Sequence, residues 1–373
     1  MGLGKQPAEV TREEILEALK DVRDPELHRS IVELDMVKDV TVANGVVTVH
    51  AVLTISGCPL RETIVEAIRN RVAALGGVRQ VEVKLGVMTP EERQALIQKL
   101  HGDHGPQARA AFLNPDSPTQ VIAVASGKGG VGKSTVTVNL ALALARMGYR
   151  VGVLDADVYG FSIPRMLGVQ GTPTVIDQMV IPLEKDGIRV ISMGFMVDEK
   201  EAVIWRGPLL HKALTTFISE VHWGELDYLL IDLPPGTGDV SISIAQILPS
   251  ASMVIVTTPQ IAATSVAQRA ARMAEKVNMA VVGIIENMSY YLPAPGSEPV
   301  YIFGHGGGSQ LSQMLKVPLL GQIPLDPLIR EGGDQGKPVV SAHPGSLAAQ
   351  AFMEAAKRLV AQVPVRAQVA PRG

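Results

Sequence analysis

An apolar run that breaks into glycine and lysine constrains this chain more than any other feature. Residues 120–135 read "QVIAVASGKGGVGKST". Gly127, Gly132, Lys133 and Ser134 satisfy the pattern G-x-x-x-x-G-K-[ST], with a predicted strand before it and a predicted helix after it. Glycines there let backbone N–H groups from Gly127 through Lys128, Gly129, Gly130 and Val131 to Gly132 curl round phosphate oxygens. Lys133 is expected to reach the β and γ oxygens of a nucleoside triphosphate, and the Ser134 hydroxyl to ligate Mg²⁺. Thr135 falls in the first turn of the helix, whose dipole favours an anion.

That run is the first of several. "RVGVLDAD", "IRVISM", "DYLLIDL", "SMVIVTT", "AVVGIIEN" and "PLLGQIP" follow, rich in β-branched residues and alternating with helical stretches. Strands buried on both faces read this way, so the expected fold class is α/β, a mostly parallel sheet with helices on both faces. Ligands in such sheets sit at the carboxyl ends of strands. Three strand-end carboxylates therefore stand out. Asp232 and Asp155 are candidates for the Mg²⁺ shell, and Asp157 is a candidate to orient an attacking water. Asp239, beyond "LPPGTG", reads equally well as a helix N-cap. No N-K-x-D follows a strand, so the base is expected to be adenine. Asn287 offers an amide donor and acceptor to its edge, or else caps a strand end. Lys128 is a second cation at the start of the loop. It either stabilises charge on a phosphoryl group held by a partner, as an arginine finger does, or is a solvated lysine.

Upstream, residues 8–100 have a different grammar and are expected to form a small α+β domain. Thr11 and Glu14 make a capping box before "REEILEALK". "VKDVTVANGVVTVHAVLT" alternates around Asn44-Gly45, a hairpin signal. A helical stretch, a third alternating segment and a short helix at 90–100 complete the unit. Residues 101–118 lack periodicity and read as a linker, 119–363 as the nucleotide domain, and 364–373 as a flexible tail. Of the 373 residues 46% are hydrophobic, which suits a large core, and the net charge of −3 argues against nucleic acid or an anionic membrane as partner. No leader or apolar span of the ~20 residues a bilayer needs is visible, so the expected location is the cytoplasm. The single cysteine, Cys58, excludes an intrachain disulfide and a four-thiolate metal site within one chain.

Taken with "VLDADVYGFSIPRMLG", "WRGPLL", "TTPQ", "ENMSYY", "YIFGHGGG" and "IPLDPLIREGGDQGKPVV", these motifs resemble the deviant-P-loop ATPases of the nitrogenase-iron-protein/MinD superfamily. Within it the chain is similar to the Mrp-type iron–sulfur cluster carrier ATPases, over nearly all of 119–361. The N-terminal unit is similar to the small iron–sulfur assembly domain often fused to them, with its cysteine in "SGCPL". The resemblance implies a homodimer closing over two ATP molecules, with Lys128 crossing to the partner's phosphates. It also implies transient binding of an iron–sulfur cluster and its transfer to apoprotein clients. One departure is plain. Family members usually carry C-x-x-C shortly after "ENMSY", and here the corresponding places hold Pro293 and Gly296. Attention then moves to Cys58. With Pro59 as first helical residue, Cys58 would be an N-cap whose thiol the dipole acidifies, a state that binds iron; otherwise it is a small buried hydrophobe. Glu62 or a partner's ligands could complete such a shell. The alternatives to a carrier are a MinD/ParA-like scaffold or positioning ATPase, and an ATP-dependent regulator or metallochaperone that binds no cluster.

Overall fold

The computed structural model describes residues 10–55, 60–101, 117–158, 160–177, 179–196, 207–236, 238–294 and 296–365. They fall into two units, one of residues 10–101 with 175–181, the other of 117–174 and 182–365.

The first unit begins with α1 (Arg12–Leu19), which opens on the capping box read from the sequence. Glu14 N–H donates to Thr11 Oγ1 at 3.2 Å, and Thr11 N–H donates to the Glu14 carboxylate at 2.8 Å. β1 (Val37–Ala43) and β2 (Val46–Leu53) pair antiparallel. Asn44 and Gly45 between them take φ of 52° and 77°, the left-handed pair that a two-residue hairpin requires. α2 (Arg61–Ala73) then crosses over to β3 (Gln80–Val87), parallel to β2, and α3 (Pro90–His101) follows. β2 alternates strictly. Its Val47, Val49, Ala51 and Leu53 face a core shared with Ile64, Ile68 and Val72 of α2.

The remaining elements are β4 (Gln120–Ser126), α4 (Lys133–Arg146), β5 (Val151–Asp155), α5 (Ile163–Leu167), β6 (Thr174–Ile176), β7 (Met179–Ile181), β8 (Leu183–Lys185) and β9 (Ile188–Ser192). They continue with α6 (Gly207–Ser219), β10 (Tyr228–Asp232), α7 (Asp239–Ile247), β11 (Ser252–Thr257), α8 (Ile261–Lys276), β12 (Ala280–Glu286), α9 (Gly307–Leu315) and β13 (Leu319–Gln322). The chain closes with α10 (Pro327–Gln335), α11 (Val339–Ala342) and α12 (Leu347–Gln362). β6 and β7 form a small sheet of their own. Their Ile176, Met179 and Ile181 are buried in the first unit's core, a feature that no local sequence signal announces.

The other strands make one eight-stranded sheet in the order β13-β12-β11-β4-β10-β5-β9-β8, parallel except for β8 against β9. β10 lies between β4 and β5, so successive strands are not neighbours there. The crevice that results at their carboxyl ends is where such sheets bind ligands. β5 and β10 are buried along their whole length, as their unbroken apolar runs require. α4 and α12 share one core cluster, with Leu140 and Leu144 from the first and Phe352, Ala355 and Leu359 from the second. α12 is thus a core helix, and no helix among the described residues is long and apolar enough to cross a membrane.

Candidate functional site

The ends of β4, β5 and β10 bring the candidate residues together. β4 stops at Ser126 and α4 starts at Lys133, so the glycine-rich segment is the turn between them. Two of its glycines are required by close approach. A Cβ on Gly127 would stand 2.4 Å from backbone atoms of Val266 and Ala267, because the loop starts directly against α8. Gly132, the N-cap of α4 with φ of 78°, would place a Cβ 2.2 Å from Asn287 Nδ2.

Lys133, Ser134 and Thr137 all converge on Asp232, the last residue of β10. Lys133 Nζ donates to Asp232 Oδ2 at 2.6 Å and Ser134 Oγ donates to the same oxygen at 2.5 Å. Thr137 Oγ1 donates to Asp232 Oδ1 at 2.6 Å. Lys133 is 6% exposed and Asp232 0%, so this is a buried ion pair with its remaining lone pairs filled by hydroxyls. Thr137 was not singled out in the sequence. Its signal is position: four residues after Lys133, it stands one helical turn further on the same face. Asp157 also approaches the ammonium, at 3.9 Å, and receives the Gly160 N–H at 3.1 Å.

Asp155 stands beside Asp232, its register partner across β5 and β10. Its Oδ2 accepts from the N–H groups of Ser162 and Ile163 at the start of α5, and from the Ser192 hydroxyl at 3.1 Å. Burial first, and the Asp232 carboxylate second, push the Asp155 carboxyl up to about 7 against those donors. Ser192, the last residue of β9, is another member that the sequence reading missed. Asp239 is not an N-cap. Gly238 holds that place and Asp239 is the first residue of α7, lining a 500 Å³ cavity together with Asp157.

Asn287, just past β12, donates from Nδ2 to the Val131 carbonyl at 2.9 Å, which ties it to the loop. It also lines a 360 Å³ cavity with Gly132, Thr135, Pro324, Leu325 and Asp326. A smaller 190 Å³ cavity covers Lys128 through Thr135 and is bordered by Asp157 and Pro235. The two cavities share Gly132, Thr135 and Met166, one lying over the glycine-rich loop and one beside it.

The segment after Asn287 is anchored at both ends. Glu286, fully buried, accepts from Ser289 Oγ at 2.6 Å, from Gln322 Nε2 at 2.9 Å and from the Gly308 N–H at the start of α9. Tyr291 and Val300 pair in an antiparallel bridge, so Pro293 and Gly296 stand on the excursion beyond it. Neither supplies a side-chain ligand, and no group of three His, Cys, Asp or Glu side chains among the described residues is placed to hold a metal ion. Cys58 lies outside the described residues. The helix that follows opens at Arg61 with Leu60 as N-cap, two residues beyond the start at Pro59 that the sequence suggested.

The profile of a family described as NUBPL iron-transfer P-loop NTPase matches residues 117–360, and that of an iron–sulfur cluster assembly protein matches residues 12–85. The chain is 49% identical over 336 residues to the iron–sulfur cluster carrier protein of Mycobacterium tuberculosis, covering 88% of each chain. It is 43% identical over 366 residues to the protein of that name in Synechocystis, covering 96% of this chain and all of the relative. Among solved structures, the nucleotide-binding protein of Archaeoglobus fulgidus in complex with ADP matches with a TM-score of 0.54 and 39% identity, over 61% of this chain and 91% of that one. With a phosphate loop, a strand-end aspartate on its lysine and serine, and a match over most of its length, the chain belongs to the iron-transfer P-loop NTPase family.

Proposed function

We propose that this protein is an ATP-hydrolysing iron–sulfur cluster carrier of the cytoplasm that works as a homodimer and passes clusters to apoprotein clients. The observation that carries the ATPase half is the shared grip of Lys133 and Ser134 on one Asp232 oxygen at the N-terminus of α4. In that arrangement the Lys133 ammonium occupies the cation position at Asp232. Asp232 and Ser134 would hold Mg²⁺, which would screen charge on the phosphates, and Lys133 would then reach the β and γ oxygens. Asp155, beside Asp232 and engaged by α5, would contribute its carboxylate to the Mg²⁺ shell. Backbone N–H groups from Gly127 to Thr135 cradle the phosphates. Asp157 orients the attacking water, and Lys128 crosses to the partner's phosphates. Asn287, with its Nδ2 on the loop, offers its amide oxygen to the adenine amine.

The carrier half rests on family membership and on relatives that bear the carrier name. Pro293 and Gly296 cannot ligate a cluster, so the contact is assigned to Cys58 of the N-terminal unit, whose sequence matches the assembly family. Two experiments test the halves separately. Lys133→Ala is expected to abolish ATP binding and turnover; retention of both would remove the nucleotide assignment. Anaerobic reconstitution with iron and sulfide, read by visible absorption, is expected to give a cluster band in wild type and none in Cys58→Ala. A wild type that stays colourless favours a scaffold or regulatory ATPase.

A further inference from the structure

Lys128 is held at both ends inside its own chain. Its carbonyl accepts the Ser126 hydroxyl at 3.1 Å, and its ammonium donates to Gln260 Oε1 at 3.2 Å. Gln260 is the N-cap residue of α8, with the extended backbone of that position, yet its side chain makes no capping hydrogen bond to the helix. It reaches the phosphate loop instead. The tight packing of Gly127 on Val266 and Ala267 is what makes the two residues neighbours. The acceptor is an uncharged amide. It binds an ammonium less strongly than a carboxylate does, and far less strongly than a triphosphate.

We infer that Gln260 is a positioning residue that parks Lys128 on its own subunit until a second copy presents its nucleotide phosphates. Release from Gln260 is then one of the costs of closing the dimer. A neutral partner keeps that cost small enough to be overcome, while keeping the ammonium from ranging freely. The inference rests on the proposed trans role of Lys128, and the test separates the two.

ATP hydrolysis by the full-length protein is measured against protein concentration at saturating Mg·ATP. Gln260→Met keeps the side-chain length without the acceptor, Gln260→Asn withdraws the acceptor by one methylene, and Gln260→Glu makes it a carboxylate. The concentration for half-maximal turnover is expected to fall about three- to tenfold in Gln260→Met and Gln260→Asn and to rise by a similar factor in Gln260→Glu, the range one hydrogen bond of ordinary net strength supports. Binding of a fluorescent ATP analogue well below that concentration checks that each variant is folded. Opposite shifts are the signature of parking. A merely structural role at the start of α8 moves all three variants the same way, and that outcome, or no shift in the folded variants, overturns the inference. Lys128→Ala is run alongside. If it keeps concentration-dependent hydrolysis, the trans role itself is wrong; if it loses it while the Gln260 variants match wild type, only the parking role is wrong.

Discussion

Replacing Lys133 with alanine should do more than prevent nucleotide binding; it should destabilise the protein before any nucleotide is added. Lys133 and Asp232 are 2.6 Å apart and almost wholly buried, and Asp157 lies 3.9 Å from the same ammonium. Removing the lysine leaves the Asp155, Asp157 and Asp232 carboxylates grouped without the cation. Breaking one side of a buried pair typically costs about 3–5 kcal/mol. At ~2–4 °C per kcal/mol for a domain of this size, the melting temperature should fall by roughly 6–20 °C. Proton uptake by Asp155, already pushed up to about 7, relieves part of that cost, so the loss should be smaller at pH 6 than at pH 8. The double variant Lys133→Ala/Asp232→Asn removes both charges. Thr137 can still donate to the amide oxygen, and Ser134 can accept from the amide N–H that replaces Oδ2, so it should recover more than half of the loss. The assay is urea unfolding of nucleotide-free protein in EDTA, followed by tryptophan fluorescence. Trp223, buried in the nucleotide unit, is the reporter. If the two substitutions add within about 0.5 kcal/mol, the residues are not coupled and the resting ion pair is refuted.

Gly132→Ala should cost about 1–2 kcal/mol for the left-handed backbone alone, and its Cβ would displace the Asn287 amide. Loss of at least about tenfold in affinity for a fluorescent ADP analogue is the expected outcome. Asp155 predicts a pH dependence. Its ordinary value is 3.8 and its folded value is about 7, so between these limits the native state holds more protons than the unfolded state. The sign follows: stability of the nucleotide-free protein should fall as pH rises through that window, then level off. Urea midpoints across that range should show the slope in wild type and not in Asp155→Asn. Ile176→Ala should lower the stability of the first unit by about 2–5 kcal/mol, as for a fully buried aliphatic residue. Faster hydrogen exchange in β1, β2 and β3 is the measurement that checks it, and unchanged protection there would contradict the packing described.

The parts of this fold that could be read from sequence are those in which one residue type answers one local need. "NG" between alternating segments gave the hairpin, and Gly127 and Gly132 gave the loop because no larger residue fits at either place. Strand-end aspartates were visible for the same reason: an acidic residue closing an unbroken apolar run has few structural uses. What stayed hidden depends on tertiary neighbours. Thr137, Ser192 and Gln260 are ordinary polar residues until the strand order places them against Asp232, Asp155 and Lys128. Burial of Ile176, Met179 and Ile181 in the first unit's core is equally non-local, since the short β6–β7 hairpin has no pattern that names its destination. The start of α2 was misplaced because Pro59 suggested a first helical residue, and the helix begins two residues further on, at Arg61.

The loop that lacks its metal-binding pair shows why the nucleotide half can persist without a cluster there. In a loop organised by bound metal, losing the ligands would release both ends. Here the ends are fixed by protein groups, with Glu286 holding Ser289, Gln322 and the first turn of α9, and Asn287 holding Val131. Because Glu286 and Asn287 are consecutive, the same strand end that secures the loop also shapes the phosphate cradle. Changing the residues beyond the Tyr291–Val300 bridge therefore leaves that cradle intact, whereas Glu286→Ala should disturb it. Weaker nucleotide binding in Glu286→Ala than in Pro293→Ala is the expected order, and equal effects would show that the anchor and the cradle are not coupled.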